Sequence, residues 1–113
     1  MSTKKGREGE RIAGLYLVKK GYRIVETNFF SRLGEIDIIA YDPHNVLVFC
    51  EVKTYKSKSF VSPFDAVTAT KLKRIRKTAE YYLLNQPTYK GAMRLDLLVV
   101  HGDLVQEHLL NIV

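Results

Sequence analysis

Asp37 sits inside the apolar run Ile36-Asp37-Ile38-Ile39-Ala40, and fourteen residues later Glu51 and Lys53 flank Val52 in Phe49-Cys50-Glu51-Val52-Lys53. Both stretches have the composition of buried strands, yet each carries charge. Side chains alternate between the two faces of a strand, so Glu51 and Lys53 share one face. An ionised carboxylate in an apolar strand is costly unless it is paired or bound to a cation. Two carboxylates and a lysine converging from adjacent strands are the parts of a site that holds a divalent metal and handles a phosphate. Asp37 and Glu51 would ligate Mg²⁺ or Mn²⁺, with the backbone carbonyl of Val52 as a further ligand. Lys53 would orient or deprotonate the attacking water, or neutralise the phosphate.

Glu10 is a fourth member of this group. On a helix beginning near residue 7 it shares a face with Ala13, Gly14 and Leu17, a small apolar face suited to packing on a sheet. The glutamate would then hang over the sheet edge, as a direct or water-mediated ligand. Glu35 lies two before Asp37 on the same strand face and either supports the site or flanks it. Carboxylates clustered without metal repel one another, which predicts raised carboxylate pKa values in the metal-free protein.

The elements that must position these residues can be read along the chain. Residues 7–20 have helical spacing, and Gly21 ends the helix as a C-cap. Residues 22–29 alternate as a strand, and a Leu33-Gly34 turn leads to a second strand over 35–41. Asp42-Pro43-His44-Asn45 is a turn, and 46–53 completes an antiparallel meander. The polar, basic stretch 54–60 reads as loop. Ser62-Pro63 should open a long helix, with Ser62 as N-cap and Asp65 near the positive dipole end. Leu72, Ile75, Ala79, Tyr82 and Leu83 form its core stripe, and Asn85-Gln86-Pro87 closes it. Strands follow over 94–100 and 104–112. The sum is α-β-β-β-α-β-β, an α/β (α+β) fold with a central mixed sheet flanked by helices. The step from strand 46–53 through the helix to strand 94–100 suits a parallel crossover.

With 113 residues the chain reads as a single domain, 1–113. Its lone cysteine, Cys50, excludes an internal disulfide. The N-terminal stretch has no apolar core of a secretory signal, and no apolar run approaches a membrane span. A cytoplasmic protein is the default expectation. The formal net charge of +6 favours a polyanionic partner, nucleic acid first. Lys71 and Arg74, three apart on one side of the long helix, would reach a nucleic-acid backbone. Together with Lys56, Lys58, Lys4 and Lys5 they would form a phosphate-tracking surface. Lys73, Arg76 and Lys77 read as a solvated helix face.

Other candidates carry less. His44, His101 and His108 are scattered and, with one cysteine, make no zinc pattern. Cys50 alternates to the face opposite Glu51 and reads as core. Gly6-x-x-Gly9 lacks the preceding strand of a phosphate loop. Asp96, a second acid in an apolar strand, has Arg94 on its own face as a structural partner.

Asp…Glu-x-Lys on two strands, with an upstream helical glutamate and a following helix, resembles the PD-(D/E)XK nuclease superfamily and its restriction-endonuclease-like fold. The chain most closely resembles the small bacterial UPF0102 (YraN-like) family. The matching residues are Gly9-Glu10-x-x-Ala13, Gly21-Tyr22, Asn28, Arg32-x-Gly34-Glu35-Ile36-Asp37-Ile38-Ile39-Ala40, Phe49-x-Glu51-Val52-Lys53, Lys71-x-x-Arg74 and Arg94-x-Asp96. It is also similar to archaeal Holliday-junction resolvases, which use a helical glutamate, an aspartate and Glu-x-Lys in this order. The resemblance implies that Glu10, Asp37, Glu51 and Lys53 are the metal and catalytic residues. Ile36 stands where the superfamily name has proline. Tyr55 stands where UPF0102 members often carry arginine, so a phosphate contact from that position is not carried over.

Three functional readings are left open. The first is a Mg²⁺- or Mn²⁺-dependent endonuclease-like protein acting on DNA, with branched or damaged DNA among its substrates. The second is a module that binds DNA or a protein partner without cutting. The third is a purely structural network of acids and Lys53, in which removing one member costs roughly 3–5 kcal/mol. Oligomeric state stays open, a homodimer included.

Overall fold

A computed structural model of the protein describes residues 4–55 and 67–112, with side chains from Arg7 onward. Among the described residues seven elements follow the expected order: α1 (Lys4–Lys19), β1 (Arg23–Ser31), β2 (Gly34–Tyr41), β3 (Leu47–Tyr55), α2 (Ala69–Leu84), β4 (Met93–His101) and β5 (Leu104–Leu109). The five strands form one sheet in the order β1-β2-β3-β4-β5. All neighbours are antiparallel except β3 and β4, which run parallel, with Glu51 opposite Leu97 and Lys53 opposite Val99. The α+β class, the meander and the parallel crossover through α2 are as the sequence implies. The arrangement is compatible with a restriction-endonuclease-like core.

Alternation along β3 explains the layering. Val48 and Cys50 point to one face and pack with Ala13 and Leu17 of α1. Leu47 and Phe49 point to the other and pack with Ile75, Ala79 and Tyr82 of α2. Both faces of the central strands are therefore dry, which is why 95–100 of β4 reads as an almost continuous apolar run. Cys50 is fully buried, as expected, and burial holds its thiol far above the usual range.

The ends of the helices carry the main corrections. α1 begins at Lys4, not residue 7, and its end follows the expected chemistry. Gly21 takes φ +92°, Gly21 N donates to Val18 O (3.0 Å) and Tyr22 N to Leu17 O (2.9 Å), a left-handed helix cap. α2 begins at Ala69, and its N-cap is Thr68 rather than Ser62. Thr68 Oγ1 accepts from Lys71 N at 3.1 Å. Ser62, Pro63 and Asp65 lie outside the described residues, as do Lys56 and Lys58, and the side chains of Lys4 and Lys5. Thr78 joins the buried stripe because its hydroxyl donates back to Arg74 O (2.8 Å). β5 ends at Leu109, short of residue 112, because Asn111 turns at φ +54° and Ile112 N donates to Leu95 O (2.7 Å). Among the described residues no helix is long and apolar enough to cross a membrane.

Candidate functional site

β2 and β3 pair from Tyr41↔Leu47 to Ile38↔Cys50 and then part. The residue at the parting is Asp37. Its Oδ2 accepts from Val52 N at 2.8 Å, so a side chain takes the place that a ladder carbonyl would have filled. Glu51 follows on the α2 side of the sheet, its side chain only 9% exposed.

The first turns of α2 close over this notch. Lys71 Nζ lies 2.7 Å from Glu51 Oε1. Gly34 brings the β1–β2 turn against the helix: a Cβ there would come within 2.9 Å of Thr78 Oγ1 and 3.8 Å of Arg74 Cβ. The result is a cavity of about 290 Å³, lined by Glu35, Asp37 and Glu51 on the sheet side and Thr70, Lys71 and Arg74 on the helix side.

Glu10 reaches the same end of the sheet from α1. Gly9 makes the approach possible, because a Cβ there would lie 2.0 Å from Thr54 Oγ1 of β3. Asn28, in the amide orientation that satisfies its donors, donates to Glu10 Oε1 (2.9 Å) and Oε2 (3.1 Å). Asn28 is in the left-handed region (φ +54°) inside β1, between the Thr27↔Ile38 and Phe29↔Ile36 pairs and so level with Asp37. Asparagine tolerates that conformation better than most residues.

The electrostatics are those of crowded acids. Burial pushes the Asp37 carboxyl up, and Glu51 adds to it. The Val52 N–H works the other way, but Glu10 and Glu35 raise it further, and Asp37 ends at about 8. Glu10 is raised too, by burial first and then by Glu35, against the hydrogen bond from Asn28; Glu51 raises it further and Arg7 opposes. Partial burial disfavours the Lys71 ammonium, but Glu51, Asp37 and Glu35 outweigh it and hold its pKa above the usual lysine value.

Of the residues expected in a site, the structure brings Glu10, Glu35, Asp37, Glu51, Lys71 and Arg74 to one place. Lys71, expected to reach a nucleic-acid backbone, is bonded to Glu51 of the cluster. Lys53 is partly buried on the same strand face as Glu51, beyond the residues that line the cavity. Val52 contributes its N–H to Asp37. Among the described residues no three His, Cys, Asp or Glu side chains converge as a ready-made metal site. The donor set still fits a hard divalent cation. Asp37 and Glu51 face one cavity, and Mg²⁺ commonly takes only one or two protein carboxylates, completing its shell with phosphate oxygens and water.

Comparison with known proteins bears on what this arrangement is. The model of "Uncharacterised protein family UPF0102" matches residues 9–100, a span that contains every residue of the cluster. The chain belongs to the UPF0102 family. It is 42% identical over 112 residues to a UPF0102 protein of Alkaliphilus metalliredigens, covering 98% of this chain and 97% of the relative. A UPF0102 protein of Syntrophomonas wolfei is 40% identical over 114 residues, covering 98% of each chain. One of Caldicellulosiruptor bescii is 48% identical over 101 residues, covering 87% of this chain and 82% of the relative.

This family member holds a second cluster of charge, on the α1 side of the sheet. Arg94 donates to both oxygens of fully buried Asp96 (Nε–Oδ1 2.9 Å, Nη2–Oδ2 3.1 Å), as its place on the same strand face implies. It also donates to Asp42 Oδ2 (2.9 Å) and the Tyr22 hydroxyl (2.9 Å). His108 Nε2 is 2.8 Å from Asp96 Oδ2, Tyr16 Oη is 3.2 Å from His108 Nδ1, and Asn111 N donates to Asp96 Oδ1 (2.9 Å). Burial pushes Asp96 up, but His108, Arg94 and the Asn111 N–H outweigh it and hold its carboxyl below the usual range. Residue spacing pointed to Arg94 alone. The rest of this network, and the bonds of Asn28 to Glu10 and of Lys71 to Glu51, had no local signal.

Proposed function

We propose that this protein is a divalent-cation-dependent phosphodiesterase that cuts DNA at the notch between β2 and β3. The observation that carries the reading is Asp37: a half-buried carboxyl among three other carboxylates, raised to about 8, on a chain of net charge +6. Groups so strongly perturbed in a cleft mark candidate functional sites. Asp37 and Glu51 would hold Mg²⁺ or Mn²⁺, assisted by the Val52 carbonyl and by Glu10 directly or through water. The bound cation supplies a water of lowered pKa and offsets charge on the attacked phosphate. Lys53 would orient that water or, as the neutral amine, take its proton; a new P–O bond would form as one ester P–O bond breaks, the leaving oxygen taking a proton from solvent. Lys71 and Arg74 contact phosphates of the DNA backbone.

The test is cleavage of linear and branched duplexes with Mg²⁺ or Mn²⁺, with circular dichroism as the folding control. Asp37→Asn and Glu51→Gln should fold and cut below detection. If both cut as well as the parent, the proposal is wrong. A second reading, a module that holds DNA without cutting, is favoured by one observation: Lys71 already pairs with Glu51. It expects salt-sensitive binding and no cation-dependent cleavage of any duplex.

A further inference from the structure

The Lys71–Glu51 contact has features that a plain surface ion pair lacks. Glu51 is almost fully buried, and its Oε1 faces a lysine nitrogen at 2.7 Å. Left alone in that setting, its charge would be costly, so Lys71 offsets it. The lysine side chain itself is 44% exposed, so it has an open way out. Its backbone is fixed by the Thr68 cap (3.1 Å), which leaves the side chain as the part free to move. Arg74, one turn on, lines the same cavity, so a lysine released from Glu51 stays beside a second phosphate-binding cation.

We infer that Lys71 is an exchangeable counter-cation: it occupies Glu51 until a divalent cation displaces it, and a DNA phosphate then takes the freed ammonium. This rests on the proposed function and adds a regulatory coupling to it. Lys71 and the divalent cation compete for one carboxylate. A phosphate weakens that competition by offering Lys71 another partner. Cation and DNA therefore tighten each other's binding, and the coupling must be reciprocal.

The experiment is Mn²⁺ titration of the full chain, read by electron paramagnetic resonance of free Mn²⁺, with and without a phosphorothioate-linked duplex. Asp37→Asn protein with the same duplex gives the background of Mn²⁺ held by DNA itself. The parent should gain about tenfold in Mn²⁺ affinity when the duplex is added, within the usual range of such couplings. Lys71→Met should bind Mn²⁺ about tenfold tighter than the parent without DNA and gain little from it. Lys71→Arg keeps a cation on Glu51 and guards against a folding defect in the Met variant. It should bind Mn²⁺ no tighter than the parent. If Lys71→Met leaves both the affinity and the gain from DNA unchanged while Asp37→Asn loses Mn²⁺, this inference falls and the proposed function stands. If the parent binds no Mn²⁺ above background even with duplex, both fall.

Discussion

Asp37 and Asp96 are both aspartates set in apolar strands of one sheet, and their carboxyls move in opposite directions. Asp96 is the more deeply buried, at 0% exposure, yet its carboxyl is held below the usual range. Asp37 is only half-buried, yet it rises to about 8. Burial pushes both carboxyls up; their partners decide which way each one ends. Asp96 receives a two-point bond from Arg94, a bond with His108 and the Asn111 N–H. Asp37 receives one backbone N–H, and its charged neighbours include Glu51, Glu10 and Glu35. One acid is finished by the fold. The other is left with oxygens that a cation would complete.

The contrast can be broken most sharply at Arg94. Arg94→Ala would leave Asp96 buried without its cation, at an expected cost of roughly 3–5 kcal/mol in denaturant unfolding. A loss under about 1 kcal/mol would mean that the network does not hold the sheet. A smaller effect of opposite sign is expected at Asp37. Its pKa is higher folded (about 8) than its ordinary 3.8, so the folded state binds the extra proton. Its contribution to stability is therefore full at low pH and is lost as pH climbs from about 4 through 8. Asp37→Asn keeps an acceptor for Val52 N and removes that loss. Because the carboxyl is partly exposed and its neighbouring acids share the strain, the variant should exceed the parent by only part of what the full shift would give, ~1–3 kcal/mol at pH 9, and converge with it at pH 4. Parallel stability curves for the two proteins would sink this account. Asp96, with its lowered value, loses stability only as pH falls below the ordinary carboxylate range. The smallest effect sharpens the same point. Tyr16→Phe removes one outer hydrogen bond of the Asp96 network and should cost about 1 kcal/mol, measured by thermal melting at pH 7. A gain there would make the network as strained as the acid cluster.

How much of this was legible depends on how far apart in the chain each partner lies. Asp37, Glu51 and Cys50 were legible because alternation in a strand is a local rule: a charge in an apolar run, or a neighbour on the opposite face, shows in a few residues. Arg94 and Asp96 were legible for the same reason. Asp42 and Tyr22 are 52 and 72 positions from Arg94, and no local rule links them. The start of α2 differs from the expectation because Ser62-Pro63 carries stronger N-terminal sequence chemistry than Thr68, whose hydroxyl nevertheless caps the helix by accepting from Lys71 N. Lys71 and Arg74 were rightly set on a different side from Lys73 and Arg76. That Lys71 would face Glu51 across the cavity depends on how α2 seats against β2 and β3. Asn28 stands out in the sequence only as part of a family pattern; its left-handed backbone inside a strand leaves no mark in composition.

The missing side chain at Gly9 acts on the molecule mechanically. α1 is about 24 Å long at the usual helical rise, and Leu17 and Ala13 seat it firmly over the sheet. Near its other end the backbone rests directly on Thr54. That contact is a stop, in the sense of a lever resting on its block. The block thus sets how near Glu10 comes to the sheet, where the Asn28 amide holds its carboxylate.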